Sequence, residues 1–282
     1  MNTLFYNFCG VPLRINAPRD LGSAEQSRLF RTEPTPHGLD ITLAHCPSLP
    51  EPEGSFCGSA GDKLVYRAGS AILRRTKDQF RPQAHMDACY DLNKPDTVRA
   101  LVREEDWLWA TRDKYLWAGL ALNQLLLHQR TLFFHASYIT HQGRGILFTA
   151  PSQTGKSTQA ELWRKYRGAE VVNGDKAAVS LRETPMIHSI PFSGTSGICK
   201  NRSVPLRAVV VLSQAPENTI RRMGVVEVVS AICPNVFADQ TVSEEWAIAL
   251  NLMLDLAASV PIYALACTPD ERAVQTLEEA MK

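Results

Sequence analysis

What this sequence lacks narrows its function first. No apolar run is long enough to span a bilayer as a helix, which takes about 20 residues; Leu116 to Leu127 is interrupted by Asn123 and Gln124. Net charge is nearly absent, since 30 Lys and Arg against 29 Asp and Glu leave a formal +1. There is thus no electrostatic footprint for nucleic acid or for an anionic membrane surface. Cysteines at metal or redox spacing are missing: the seven (9, 46, 57, 89, 199, 233 and 267) are scattered, odd in number and never C-x-x-C. That pattern fits a reducing compartment better than a disulfide framework or a zinc site. The stretch Met1 to Phe8 has no basic segment followed by a long apolar one, so it does not read as a signal peptide. The expectation is a soluble, cytoplasmic protein without nucleic-acid or membrane partners.

What is present centres on Gly145 to Thr158. Ile146 to Phe148 reads as a buried strand, Ala150 to Gly155 as a loop, and the chain from about Lys156 as a helix that Gly168 ends. This is the phosphate-binding pattern G-x-x-x-x-G-K-[ST], with Ala150 in place of the first glycine. Loop N–H groups and the helix N-terminus can cradle phosphate oxygens. Ser152, Gln153, Thr154, Gly155, Lys156, Ser157 and Thr158 are the candidate nucleotide contacts. Among them Lys156 would reach the β/γ-phosphates and Ser157 would hold Mg²⁺.

Upstream, residues 1–100 form a β-rich accessory region with candidate strands at Leu4–Phe8, Leu39–Leu43, Lys63–Arg67 and Ala71–Arg75. A Pro/Gly/Ser-rich loop is expected over Cys46 to Gly61. His37, His45 and His85 share no metal-ligand spacing. Residues 101–282 form the core. Residues 97 to 130 read as helix, with Thr111 or Asp113 as cap, and Trp107, Trp109 and Trp117 as packing residues. Thr131 to Thr140 reads as a strand joined by a Gln142-Gly143 turn to the strand before the loop. That register sets His135 opposite Thr149 or Ala150, at the loop mouth.

Val171 to Asp175 reads as the next strand, ending in a carboxylate only nineteen positions after Lys156. Asn-Gly-Asp is also an ordinary turn sequence, but Asp175 emerges at the same sheet end as the loop and is a candidate Mg²⁺ ligand with Ser157. Downstream, Pro191 to Arg202 is either a second substrate loop carrying Lys200 and Arg202 or a connector. Arg221-Arg222 is either a cation for a moving phosphoryl group or a solvated strand end. Leu206–Leu212 and Pro261–Cys267 read as strands. Thr241–Ala258 reads as a helix opened by a capping box of Ser243 or Thr241 with Glu244 and Glu245, and Asp270–Met281 as a closing amphipathic helix.

The order His135, Ala150–Ser157, Asp175 resembles the C-terminal domain of HPr serine kinase/phosphorylase, whose superfamily includes phosphoenolpyruvate carboxykinases and free-serine kinases. The resemblance covers roughly residues 115 to 215. It implies an α/β fold of α+β character, with a mixed, partly antiparallel P-loop sheet. It also implies ATP and Mg²⁺ as cofactors, with Lys156, Asp175 and His135 as the catalytic set. Transfer would be to a hydroxyl, with a serine-containing small molecule, peptide or protein as substrate; a homo-oligomer is compatible with all of this. Two departures stand out. Gly174 sits where such kinases carry the first of two adjacent aspartates, and Ala-Pro-Ser-Gln-Thr replaces a glycine-rich loop. The alternative is a non-catalytic ATP-binding sensor. A carboxykinase-like decarboxylation is the weaker third reading, since no second metal site with His and Lys ligands is evident.

Overall fold

The computed structural model describes residues 2–35, 38–77, 83–194 and 196–282. The chain divides into two compact units, Met1–Gln129 with Asp239–Trp246, and Arg130–Ala238 with Ala247–Lys282. The sequence reading draws its division at 100/101, whereas the contacts draw theirs at 129/130. Together the units give a mixed α/β chain with large mixed sheets. Among the described residues, no helix is long and apolar enough to cross a membrane.

The first unit carries β1 (Asn2–Phe8), β2 (Val11–Ala17), β3 (Leu39–Cys46), β4 (Ser55–Ala60), β5 (Lys63–Ala68), β6 (Ala71–Thr76), β7 (Met86–Asp91) and β8 (Lys94–Arg103). These form one sheet in the order β1-β2-β3-β8-β7-β6-β5-β4. Cys9 and Gly10 both have positive φ (58° and 78°) and join β1 to β2 in a two-residue turn, the conformation that suits the twist of a tight hairpin. The four expected strands are found inside β1, β3, β5 and β6, while β2, β4, β7 and β8 are additional. β4 lies within the expected 46–61 loop, at the sheet edge, largely exposed and bulged between Phe56 and Gly58.

The expected helix over 97–130 is corrected. Its first residues belong to β8, where Val98, Ala100 and Val102 are buried at strand period. Three short helices follow, α1 (Trp107–Ala110), α2 (Asp113–Gly119) and α3 (Leu122–Leu127), with positive φ at Asp113 and Ala121 breaking the run. Asp113 caps none of them, because its carboxylate accepts from the Ser27 N–H (2.9 Å) and hydroxyl (2.7 Å). Trp107 and Trp117 are buried as expected, Trp117 packing edge-on against Phe8 (4.7 Å) and Tyr6 (5.1 Å). His37 lies outside the described residues. His45 faces Glu104 at 3.7 Å, and His85 is buried against Trp109.

A buried charge network closes this unit. The Arg74 guanidinium, fully buried, donates to Asp239 (2.6 Å), to the Tyr90 hydroxyl (3.0 Å) and to the fully buried Glu245. Tyr90 donates in turn to Glu245 (2.5 Å), and burial pushes its own hydroxyl pKa well up. The sequence reading of Glu245 as part of a capping box is therefore replaced: its carboxylate neutralises Arg74.

The second unit carries β9 (Thr131–His141), β10 (Arg144–Thr149), α4 (Lys156–Arg167), β11 (Glu170–Asn173), β12 (Lys176–Ser180), β13 (Met186–His188), β14 (Ser203–Gln214), β15 (Thr219–Arg222), α5 (Val225–Ile232), β16 (Ile262–Cys267), α7 (Glu271–Ala280) and, from Ala247 onward, α6 (Ser243–Ser259), whose first residues belong to the first unit. Its strands run β10-β9-β12-β13-β14-β16-β15, with β11 also on β9. β14 pairs with β13 through Ser203 to Pro205, then in parallel with β10 through Leu206 to Val211, so the ladder returns to its start. β10, β14 and β16 are mutually parallel neighbours, while β9, β12, β13 and β15 run antiparallel to theirs.

The core explains why α4 lies where it does. Trp163 is fully buried, with Leu162 and Tyr166 half-buried beside it, against Phe148, Val210 and Leu265 of the sheet and Val274 and Leu277 of α7. Truncating such a residue to Ala typically costs about 3–5 kcal/mol. Gly168 ends α4 in the left-handed region (φ 63°), its N–H bonded to the Arg164 carbonyl at 3.1 Å. At the other end of the chain Asp270 caps α7, accepting from the Ala273 N–H at 3.3 Å.

Candidate functional site

The site is built on the β9–β10 hairpin. Gln142 and Gly143 both take positive φ (50° and 73°), and every β9–β10 pair follows the register they set, from His141↔Arg144 to Ala136↔Thr149. One step further His135 stands beside the loop that leaves β10, and its carbonyl accepts from the Thr149 hydroxyl at 3.3 Å.

That loop carries two left-handed residues, Gln153 (φ 64°) and Gly155 (φ 119°). Ala150 is fully buried in the core, without positive φ, so a methyl group fits where the motif has its first glycine. Pro151, Ser152 and Gln153 are exposed and Thr154 half-buried. Lys156 opens α4 and folds back, donating to the carbonyls of Ala150 (3.0 Å) and Pro151 (3.2 Å). Burial pulls its pKa below the ordinary lysine value, against the attraction of Asp175. Ser157 and Thr158 are exposed on the first turn, and the Ser157 hydroxyl reaches the Gly174 carbonyl at 3.5 Å.

Asp175 sits in the turn between β11 and β12. Asn173, fully buried, organises that turn: its Oδ1 accepts from the N–H groups of Asp175 (3.1 Å) and Lys176 (3.0 Å), and its Nδ2 donates to the Phe192 carbonyl (2.8 Å). The Asp175 carboxylate then faces three neighbours. His135 Nδ1 lies 3.5 Å from Oδ1, Lys176 Nζ lies 2.7 Å from Oδ2, and a Cβ added at Gly194 would meet the Asp175 side chain at 2.6 Å. The His135 pKa lies below the ordinary imidazole value because of desolvation first and the Lys156 charge second, with Asp175 opposing. The imidazole is therefore neutral at pH 7 and able to accept a proton.

Of the residues singled out from sequence, Lys156, Ser157, Asp175 and His135 thus come together. Lys200 and Arg202 do not join them, as both pair with Glu170 (2.9 and 3.3 Å). Arg221 pairs with Glu227. Four contributors escaped sequence reasoning: Asn173, Lys176, Gly194, and Ser137, whose hydroxyl donates to the Gly174 carbonyl at 2.9 Å. Only Asn173 had a signal, the turn propensity of Asn-Gly-Asp. Gly174 gains a physical reason, because a Cβ there would stand 2.5 Å from the Ser196 hydroxyl. Ser196 therefore stands where a side chain at position 174 would begin.

The donor set suits a cation shared with a ligand. Among the described residues no three His, Cys, Asp or Glu side chains form a metal site. One carboxylate and one hydroxyl suit Mg²⁺ that keeps its remaining ligands from phosphates and water.

These features define a mixed α/β protein with a motif-bearing loop, a carboxylate and a neutral histidine gathered at one sheet end. The chain belongs to the family described as SynChlorMet cassette protein ScmC, whose profile matches residues 116–282. Among solved structures it is similar to the Hpr(Ser) kinase/phosphatase from Coxiella burnetii at 14% identity, over 52% of this chain and 94% of that one, with a TM-score of 0.32. Comparison with curated proteins gives no match.

Proposed function

We propose that the second unit is an ATP- and Mg²⁺-dependent phosphotransferase acting on a hydroxyl, a serine either free or within a peptide or protein. The observation that carries this reading is the convergence of Lys156, Ser157, Asp175 and His135 around one loop, with a neutral imidazole 3.5 Å from a carboxylate. Mg-ATP would supply the activated phosphoryl group, leaving the protein to position and neutralise. Ser157 and Asp175 would hold the cation. Lys156, exchanging loop carbonyls for phosphate oxygens, would offset developing negative charge. His135 would accept the proton of the acceptor hydroxyl, and Asp175 would stabilise the imidazolium so formed.

The test is incubation with Mg-ATP and either serine or serine-containing peptides, followed by detection of the phosphorylated product. The reading expects transfer that is lost in Lys156→Ala. Undiminished transfer by that variant would contradict it.

A second reading has its own support. Lys176 already occupies Asp175 Oδ2 at 2.7 Å, and Ser196 stands where a second carboxylate would need room. A non-catalytic ATP sensor needs neither group free. ATP recovered intact after prolonged incubation with every acceptor would favour it.

A further inference from the structure

Beside the loop lies a cleft of about 420 Å³, with Gly155, Thr158 and Gln159 on one wall and Gln214, Cys267 and Thr268 on the other. It opens at the C-terminal ends of the paired strands β14 and β16, where Gln214 stands opposite Cys267. Crevices outside the carboxyl ends of parallel strands are where α/β sheets take ligands. Because Gly155 and Thr158 line it, a group in the cleft can be continuous with phosphates on the loop.

One wall residue carries chemical information. Gln159 is only 3% exposed, on the first turns of α4. Its Nε2 donates to the Cys267 thiol sulfur at 3.2 Å. Its Oε1 is buried and has no hydrogen-bond partner among the described residues. A buried amide oxygen without a donor is costly, and a ligand N–H that reaches it recovers that cost.

We propose that this cleft holds the base of the bound nucleotide and selects one whose exocyclic amino group donates to Gln159 Oε1, as adenine does. The inference rests on the nucleotide-binding reading above and deepens it. A base without that donor would leave the oxygen unpaired and bind more weakly by about five- to a hundredfold. A carbonyl at the same ring position would set acceptor against acceptor.

The test uses the intact protein, Mg²⁺ and three probes: ATP, purine riboside triphosphate (which lacks the amino group) and inorganic tripolyphosphate. We expect ATP to bind at least fivefold more tightly than purine riboside triphosphate, and both to displace tripolyphosphate. Gln159→Met, close in volume but without the amide, should lower ATP affinity to that of purine riboside triphosphate. Equal affinities of the wild-type protein for the two nucleosides' triphosphates would overturn the inference while leaving the phosphate site standing, since tripolyphosphate binding reports that separately. Failure of tripolyphosphate and both nucleotides to bind would overturn both. The wild-type comparison needs no variant, so misfolding of Gln159→Met would not blunt it.

Discussion

Gly194→Ala is the substitution that most sharply probes how the site is held. A Cβ at this position would lie 2.6 Å from Asp175 Cβ, 2.7 Å from Cγ and 2.9 Å from Oδ1. Carbon atoms rest at about 3.5–4.0 Å, so one side must retreat by roughly 1 Å. Neither side moves freely. The loop before Gly194 is tied to Asn173 through the Phe192 carbonyl (2.8 Å), and the loop after it is tied to β11 by the Lys200 N–H on the Val172 carbonyl (3.0 Å). Asp175 is itself fixed by Asn173 and by pairing between the Ala136 N–H and its own carbonyl (2.9 Å). Overpacking of this kind costs about 1–3 kcal/mol. A 1 Å displacement of a positioned group can lower turnover by about a hundredfold. The expected outcome is a ten- to hundredfold loss of phosphotransfer, with Mg-ATP affinity falling less. Gly197→Ala is the control: its φ of 65° makes Ala strained, but nothing lies within 4 Å of the new Cβ. Turnover by Gly194→Ala within twofold of wild type, or an equal loss in Gly197→Ala, would refute the argument that Gly194 is required by its approach to Asp175.

Three further outcomes follow from groups already described. His188 is buried between the hydroxyls of Ser180 and Ser203, both at 2.8 Å, and burial lowers its pKa to about 4. An unfolded histidine titrates near 6.5, so the neutral form favours folding above that pH, and the contribution fades as pH falls toward 4. Between pH 7 and 5 wild type should lose about 2 kcal/mol that His188→Gln does not, measured by denaturant unfolding at each pH; parallel losses would contradict this. Arg74→Met, leaving Glu245 and Asp239 in place, should destabilise the chain by about 3–5 kcal/mol, whereas pairing it with Glu245→Leu should recover part of that loss in thermal unfolding. If His135 is the base, the acidic limb of kcat/KM, which reports the free protein, should lie below the ordinary imidazole range, because desolvation and Lys156 lower its pKa, and His135→Gln should remove that limb.

The β10–loop–α4–β11 stretch was legible because its signals are local: a short apolar run, a glycine turn on either side, and a helix whose buried residues recur at helical period. The His135 register was legible for the same reason, since a Gln-Gly turn with two positive φ values dictates every pair behind it. Much of the first unit was not. β4 has the sequence Ser-Phe-Cys-Gly-Ser-Ala, which carries little strand propensity and is held by pairing to β5 alone. Most of β8 (Lys94–Arg103) reads locally as the start of a helix, because its apolar residues lead without a glycine or proline stop toward the leucine-rich 116–127 run. Glu245 reads locally as a helix-start carboxylate, and only the fold brings it to Arg74, 171 positions earlier. Gly194 looks like one more flexible residue until its distance to Asp175 is known.

The most direct test of the central claim is calorimetric titration of the protein with Mg-ATP, Mg-GTP and Mg-ADP, with Lys156→Ala as the comparison. The account predicts saturable Mg-ATP binding that is lost, or weakened by at least tenfold, in the variant. No binding of any nucleotide by the wild-type protein, or equal binding by the variant, would contradict it.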